Sequence, residues 1–73
     1  MGRIAVIGES PRIDAFALAG ADPLRADSGA ESRAAWDGLP EDVEVVLLTP
    51  AAATAIGEQV GSRPGVISVT LPS

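Results

Sequence analysis

Seventy-three residues leave room for one domain, and they carry five arginines, no lysine and ten acidic residues, a formal net charge of −5. That balance speaks against nucleic acid and anionic membrane surfaces, both of which need a basic patch, and the arginines (Arg3, Arg12, Arg25, Arg33, Arg63) are scattered rather than clustered. The absence of Cys and His removes disulfides, thiolate ligands, the commonest metal ligand and the commonest general base.

A domain this small hides only about 60% of the surface that its unfolded chain exposes. Small domains compensate with disulfides, a metal or a partner. The composition disfavours the first two, which leaves a partner protein. The apolar run at the amino terminus, Ile4 to Ile7, is far shorter than a signal peptide's apolar region. The stretch from Val45 to Ile56 is broken by Thr49, Pro50 and Thr54, short of the ~20 apolar residues of a spanning helix. The default expectation is a cytoplasmic protein.

In chain order, the first β-branched run, Ile4–Ile7, reads as strand β1. It is continuous rather than alternating, as expected of a parallel strand covered on both faces. Ser10-Pro11 follows: a hydroxyl at the N-cap accepts from the orphaned amides of the first turn, and proline at the next position loses no hydrogen bond there. Helix α1 therefore starts at Ser10, carries Ile13, Phe16 and Ala17 on one face, and stops at Gly20. The segment Pro23 to Asp27 is expected to be a short edge strand, β2, although only Leu24 and Ala26 are apolar. Ser28 and Glu31 have capping-box spacing, which starts helix α2, running through Trp36 to Gly38 with Pro40 beyond.

Val43 to Leu48, apolar but for Glu44, is the second, nearly continuous run, strand β3, and Thr49-Pro50 repeats the cap-and-proline signal. Helix α3 would then place Ala52, Ile56 and Val60 on one face and stop near Gly61. Val66 to Leu71 reads as strand β4, and its alternation after Ile67 suits an edge strand with one wetter face. The order β1-α1-β2-α2-β3-α3-β4 predicts a single α/β domain over residues 1–73: a small flavodoxin-like or Rossmann-like three-layer fold. Right-handed crossovers favour a four-stranded parallel sheet in the order 2-1-3-4.

Ligands of such sheets bind beyond the carboxyl ends of the strands, here between β1 and β3, where Gly8, Glu9 and Ser10 face Thr49 and Pro50. A dinucleotide site needs Gly-x-Gly-x-x-Gly, whereas this loop has one glycine with an acid beside it. A Walker loop needs a lysine that the chain lacks. Phosphoacceptor receiver domains share the topology but resemble one another in two acids after β1, an acceptor Asp at the end of β3, and a lysine. Here Glu9 stands alone and Thr49 takes the end of β3. Ser10 has no base to activate it. The acids Glu41, Asp42 and Glu44 read as a solvated loop and one outward residue. No catalytic, cofactor-binding or metal-binding residue is expected. Trp36 and Phe16 either plug the helix–sheet core or, if Trp36 is partly exposed, provide a partner hot spot.

Taken together, Ile4-Ala5-Val6-Ile7-Gly8-Glu9 and Phe16-Ala17-Leu18-Ala19-Gly20-Ala21 resemble the opening of the F subunit of V-type and archaeal-type rotary ATPases. That family reads I-A-V-I-G-D in the first strand and F-x-L-A-G-V at the end of the first helix. Val46-Leu47-Leu48-Thr49 is similar to its I-L-I-T segment, and Val66 to Ser73 to its final strand and I-P-S/G ending. The likeness spans the chain with compatible spacing. It departs at Ala15, where the family has glycine, and at Pro50, where an acid usually follows the threonine.

The resemblance implies a non-catalytic subunit of the central rotor stalk, packed on the coiled-coil D subunit and helping to couple ATP hydrolysis or synthesis to ion transport. It would be cytoplasmic and peripheral to the membrane as part of a complex. Family members usually continue into a C-terminal helix, for which the sequence has no counterpart after Ser73, so a form without it is expected either to bind the stalk partner differently or to supply only the globular body. Glu9, Ser10, Arg12, Thr49 and Trp36 are the candidate partner contacts, together with the last strand. An uncovered edge there also invites pairing with a second copy. The alternative is a degenerate receiver-like interaction or regulatory module without phosphotransfer.

Overall fold

The computed structural model describes residues 2–57, 59 and 65–72. The elements are β1 (Arg3–Gly8), α1 (Ser10–Leu18), β2 (Asp22–Arg25), α2 (Gly29–Asp37), β3 (Val43–Leu48), α3 (Pro50–Ile56) and β4 (Ile67–Thr70). The strands form one parallel sheet in the order β2-β1-β3-β4. This is the β-α-β-α-β-α-β topology and strand order that the sequence predicts. No helix among the described residues is long and apolar enough to cross a membrane.

Side chains of laterally paired residues in a parallel sheet share a face. One face therefore presents Ala5 and Ile7 of β1 beside Val46 and Leu48 of β3. Onto it pack Trp36 from α2, Ala52 and Ile56 from α3, and Leu39 from the loop after α2, forming one buried cluster. The other face presents Ile4 and Val6 beside Val45 and Leu47, continued by Ile67 and Val69 of β4. Among the described residues, α1 is the only helix on this side. Ile13 is its one fully covered residue, and both Ile13 and Val6 are 0% exposed.

The local signals act mostly where expected. At α3, the Thr49 hydroxyl accepts from Ala52 N at 3.4 Å and Pro50 is the first helical residue. At α2, the Ser28 hydroxyl accepts from Glu31 N at 3.1 Å. The Glu31 carboxylate, however, reaches one residue past the cap to accept from Asp27 N at 2.7 Å. Chain reversal after α1 uses Gly20 at φ +105°, a left-handed conformation that costs glycine little.

Three expectations are corrected. Ser10 does not cap α1: it is the first helical residue, Glu9 holds the cap position, and no side chain caps the helix. Pro11 itself has no N–H, so this first turn has one orphan donor fewer to satisfy. Helix α3 ends at Ile56, with Gly57 at φ +64°, rather than near Gly61; Val60 and Gly61 lie outside the described residues. The strands β1 and β3 are not covered on both faces along their whole length, since Ile4 is 48% exposed and Val45 and Leu47 are only half-buried.

Candidate functional site

The crevice at the carboxyl end of the sheet forms where β1 and β3 separate into α1 and α3. Thr49 N donates to Ile7 O at 3.1 Å, which carries the ladder one residue past β3. The Thr49 side chain then turns over β1. A Cβ on Gly8 would stand 2.2 Å from Thr49 Cγ2, so Gly8 is needed for this close approach rather than to cradle a ligand. The Thr49 hydroxyl donates to Glu9 Oε2 at 3.0 Å while accepting from Ala52 N. Glu9 also faces the Arg12 guanidinium at 3.8 Å. Threonine, glutamate and arginine thus satisfy one another across the switch point.

Beside this contact lies a depression of about 330 Å³ lined by Glu9, Ala26, Asp27, Ser28, Gly29, Ser32 and Ala51. Its charged side chains are two carboxylates, which repel phosphate, and Ser28 is already committed to capping α2. No group of three or more His, Cys, Asp or Glu among the described residues could hold a metal ion. Histidine, lysine and cysteine are absent from the sequence, and the crevice carboxylate of Glu9 is engaged by the Thr49 hydroxyl.

Of the five expected partner contacts, Glu9, Ser10, Arg12 and Thr49 come together at this carboxyl end, and Trp36 does not. Two are corrected. Trp36 is 2% exposed and belongs to the core under α2, so it takes the packing role and offers no surface. Thr49 is 0% exposed, since its methyl fills the space above Gly8 and its hydroxyl is spent on Glu9 and the α3 cap. Glu9 and Ser10 are half-buried. Arg12 is exposed and ties α1 to the segment after β4, donating from Nη2 to Pro72 O at 3.0 Å.

The larger feature is on the α1 side of the sheet. Lateral pairing aligns Ile4, Val45 and Ile67 in one row and Val6, Leu47 and Val69 in the next. Among the described residues, helix α1 packs chiefly on β1 and β2. Ile4, Ile67 and Val69 are 48%, 64% and 44% exposed. Phe16 is half-buried at the border, where it lines a depression of about 410 Å³ with Ile4, Leu47 and the ion-paired Arg3 and Asp22.

Sequence reasoning anticipated an edge strand at β4 with a wetter face but not which residues it would show. The apolar pair Ile67 and Val69 points to the open side, whereas Ser68 is half-buried toward α3's side. The alternation at positions 67 to 70 carried the signal. What it lacked was the side on which the helices fall. No protein-family model matches the chain, and no curated protein does either.

Proposed function

We propose that the chain is a non-catalytic docking subunit, the F-type component of the central stalk of a V/A-type rotary ATPase. In that role it packs on a coiled-coil partner and helps couple ATP hydrolysis or synthesis to ion transport, held at the membrane's cytoplasmic side by the complex alone. The observation that carries this reading is the contrast between two surfaces. The sheet-end crevice is closed by Thr49 over Gly8 and bordered by carboxylates, while the apolar residues Ile4, Ile67 and Val69 lie exposed on one sheet face. Contiguous exposed apolar surface on a soluble domain marks an interaction site. The resemblance at Ile4 to Glu9, Phe16 to Ala21, Val46 to Thr49 and Val66 to Ser73 supplies the identity of the partner.

Affinity capture of the tagged protein from its own cell, read by mass spectrometry, tests the proposal. The expected result is stoichiometric recovery of a coiled-coil stalk subunit together with other rotary-complex subunits, and no thermal stabilisation by ATP or ADP. Recovery without any rotary subunit, or nucleotide-dependent stabilisation, refutes it.

The competing reading is a degenerate receiver-like interaction module. It is favoured by the 2-1-3-4 order combined with the Glu9–Thr49 contact at the receiver acceptor end. Incubation with acetyl phosphate separates the two. We expect no mass increment, since a threonine hydroxyl bound to a carboxylate, with no lysine or metal cluster near, has nothing to stabilise a transferring phosphoryl group.

A further inference from the structure

We infer that the depression at the carboxyl ends of β1 and β2 binds a small primary ammonium compound, held between the Asp27 and Glu9 carboxylates and the Ser32 hydroxyl. The inference is independent of the stalk reading and uses a different surface.

Ser32 is the side chain that points to a ligand. It sits one turn before Trp36 on the inward flank of α2 and is 3% exposed, at a position where packing calls for an apolar residue. Its hydroxyl forms no hydrogen bond among the described residues. Leaving a buried hydroxyl unpaired is costly. Yet no side-chain oxygen among the described residues is both sealed from the surface and unpartnered. The Ser32 oxygen therefore keeps a small access, and the depression of about 330 Å³ that Ser32 lines is where it opens.

Charge selects the class of occupant. Glu9 and Asp27 line the depression from the loops after β1 and β2, and no arginine lines it. Glu9 is already met by the Thr49 hydroxyl at 3.0 Å and by Arg12 at 3.8 Å, which also donates to Pro72 O. Beside Asp27, the Glu31 carboxylate accepts from Asp27 N, and Arg33 is drawn to Ala55 O. The Asp27 carboxylate itself has no ion pair and no hydrogen bond among the described residues. The amino ends of α2 and α3 also reach the depression, through Gly29 and Ala51, and each carries at most about half a positive charge. Two carboxylates outweigh two such ends, and Arg12 stands outside the lining, so the balance calls for one positive charge on the ligand.

An ammonium group brings three N–H donors, a match for two carboxylates and one hydroxyl oxygen. Two carboxylates fall short of the three-group set that could hold a metal ion. The volume suits a compact organic molecule, at the low end of the ~300–1,000 Å³ of small-molecule pockets. The small side chains of Ala26 and Ala51 leave that space unfilled.

The test follows the backbone amide resonances of the isotope-labelled full chain during titration with ethanolammonium chloride at constant ionic strength. Saturable shifts are expected at Asp27, Ser28, Gly29, Ser32 and Ala51, half-complete at about 10 mM or below, a modest affinity for so small a molecule. Tetramethylammonium, which has the charge but no N–H, should shift none of them. Asp27→Asn, at an exposed position, should weaken binding by about tenfold or more. Ala51→Leu, also exposed, should abolish it by filling the opening while leaving the melt unchanged. Ser32→Ala should weaken binding by about threefold or more yet melt no lower than the parent, because it removes a hydroxyl without a partner.

No saturable shift with ethanolammonium, unchanged affinity in Asp27→Asn, or equal binding of tetramethylammonium overturns the inference. So does a marked loss of stability in Ser32→Ala, which would show that the hydroxyl is paired within the protein. Saturation of the same amides by magnesium chloride or inorganic phosphate in place of the ammonium assigns the site to a metal or an anion and overturns it too. None of these outcomes touches the stalk proposal, which the affinity capture decides.

Discussion

The two faces of this sheet are built from the same kinds of residue and end in different states. Toward α2 and α3, Ala5, Ile7, Val46 and Leu48 are all buried, at 1% exposure or less. Toward α1, the equivalent rows run from Val6 at 0% to Ile67 at 64%. Among the described residues, two helices close the first face and one helix closes half of the second. The difference shows that the exposed apolar strip reflects how many helices reach each side, not weak strand chemistry.

Four substitutions break or sharpen that comparison. The largest loss is expected for Trp36→Ala. This side chain bridges α2 to both central strands' buried row, and aromatic truncation in a core costs about 3–5 kcal/mol. In a domain this size that should abolish cooperative thermal unfolding, and a melt resembling the parent's would remove Trp36 from the core. Next, Ile13→Ala should cost about 2–4 kcal/mol in urea unfolding, since Ile13 is the one fully covered residue of α1.

Gly8→Ala follows. Its new Cβ would lie 2.2 Å from the Thr49 methyl carbon, and relieving such overpacking costs about 1–3 kcal/mol. An unchanged midpoint would show that Thr49 can leave the crevice, reopening it as a ligand site. The smallest effect is expected for Ile67→Ser. On the open face it should shift stability by no more than about 0.5 kcal/mol, against 2 kcal/mol or more for an equally apolar residue of the closed face. A loss as large as that of Ile13→Ala would mean that Ile67 is covered in solution.

Much of the fold was legible before any coordinates. Nearly continuous β-branched runs at Ile4–Ile7 and Val43–Leu48, with hydroxyl–proline or capping-box signals between them, gave the element order, and crossover handedness gave the strand order. Cap details were less legible. Thr49 does cap its helix as expected, but Ser10 does not, because Glu9 takes the cap position with its carboxylate bound to the threonine hydroxyl 40 residues away. A long-range partner of that kind leaves no trace in local sequence.

The candidate site divides the same way. The lack of histidine, lysine and cysteine could be read directly, and it limited the chemistry of the crevice at once. That Trp36 lies inward and that Ile4, Ile67 and Val69 lie outward could not, since each is an apolar residue in an apolar run. Periodicity assigns residues to one face or the other of an element. Only the packed arrangement decides which face a helix covers, because burial depends on neighbours brought together from distant parts of the chain.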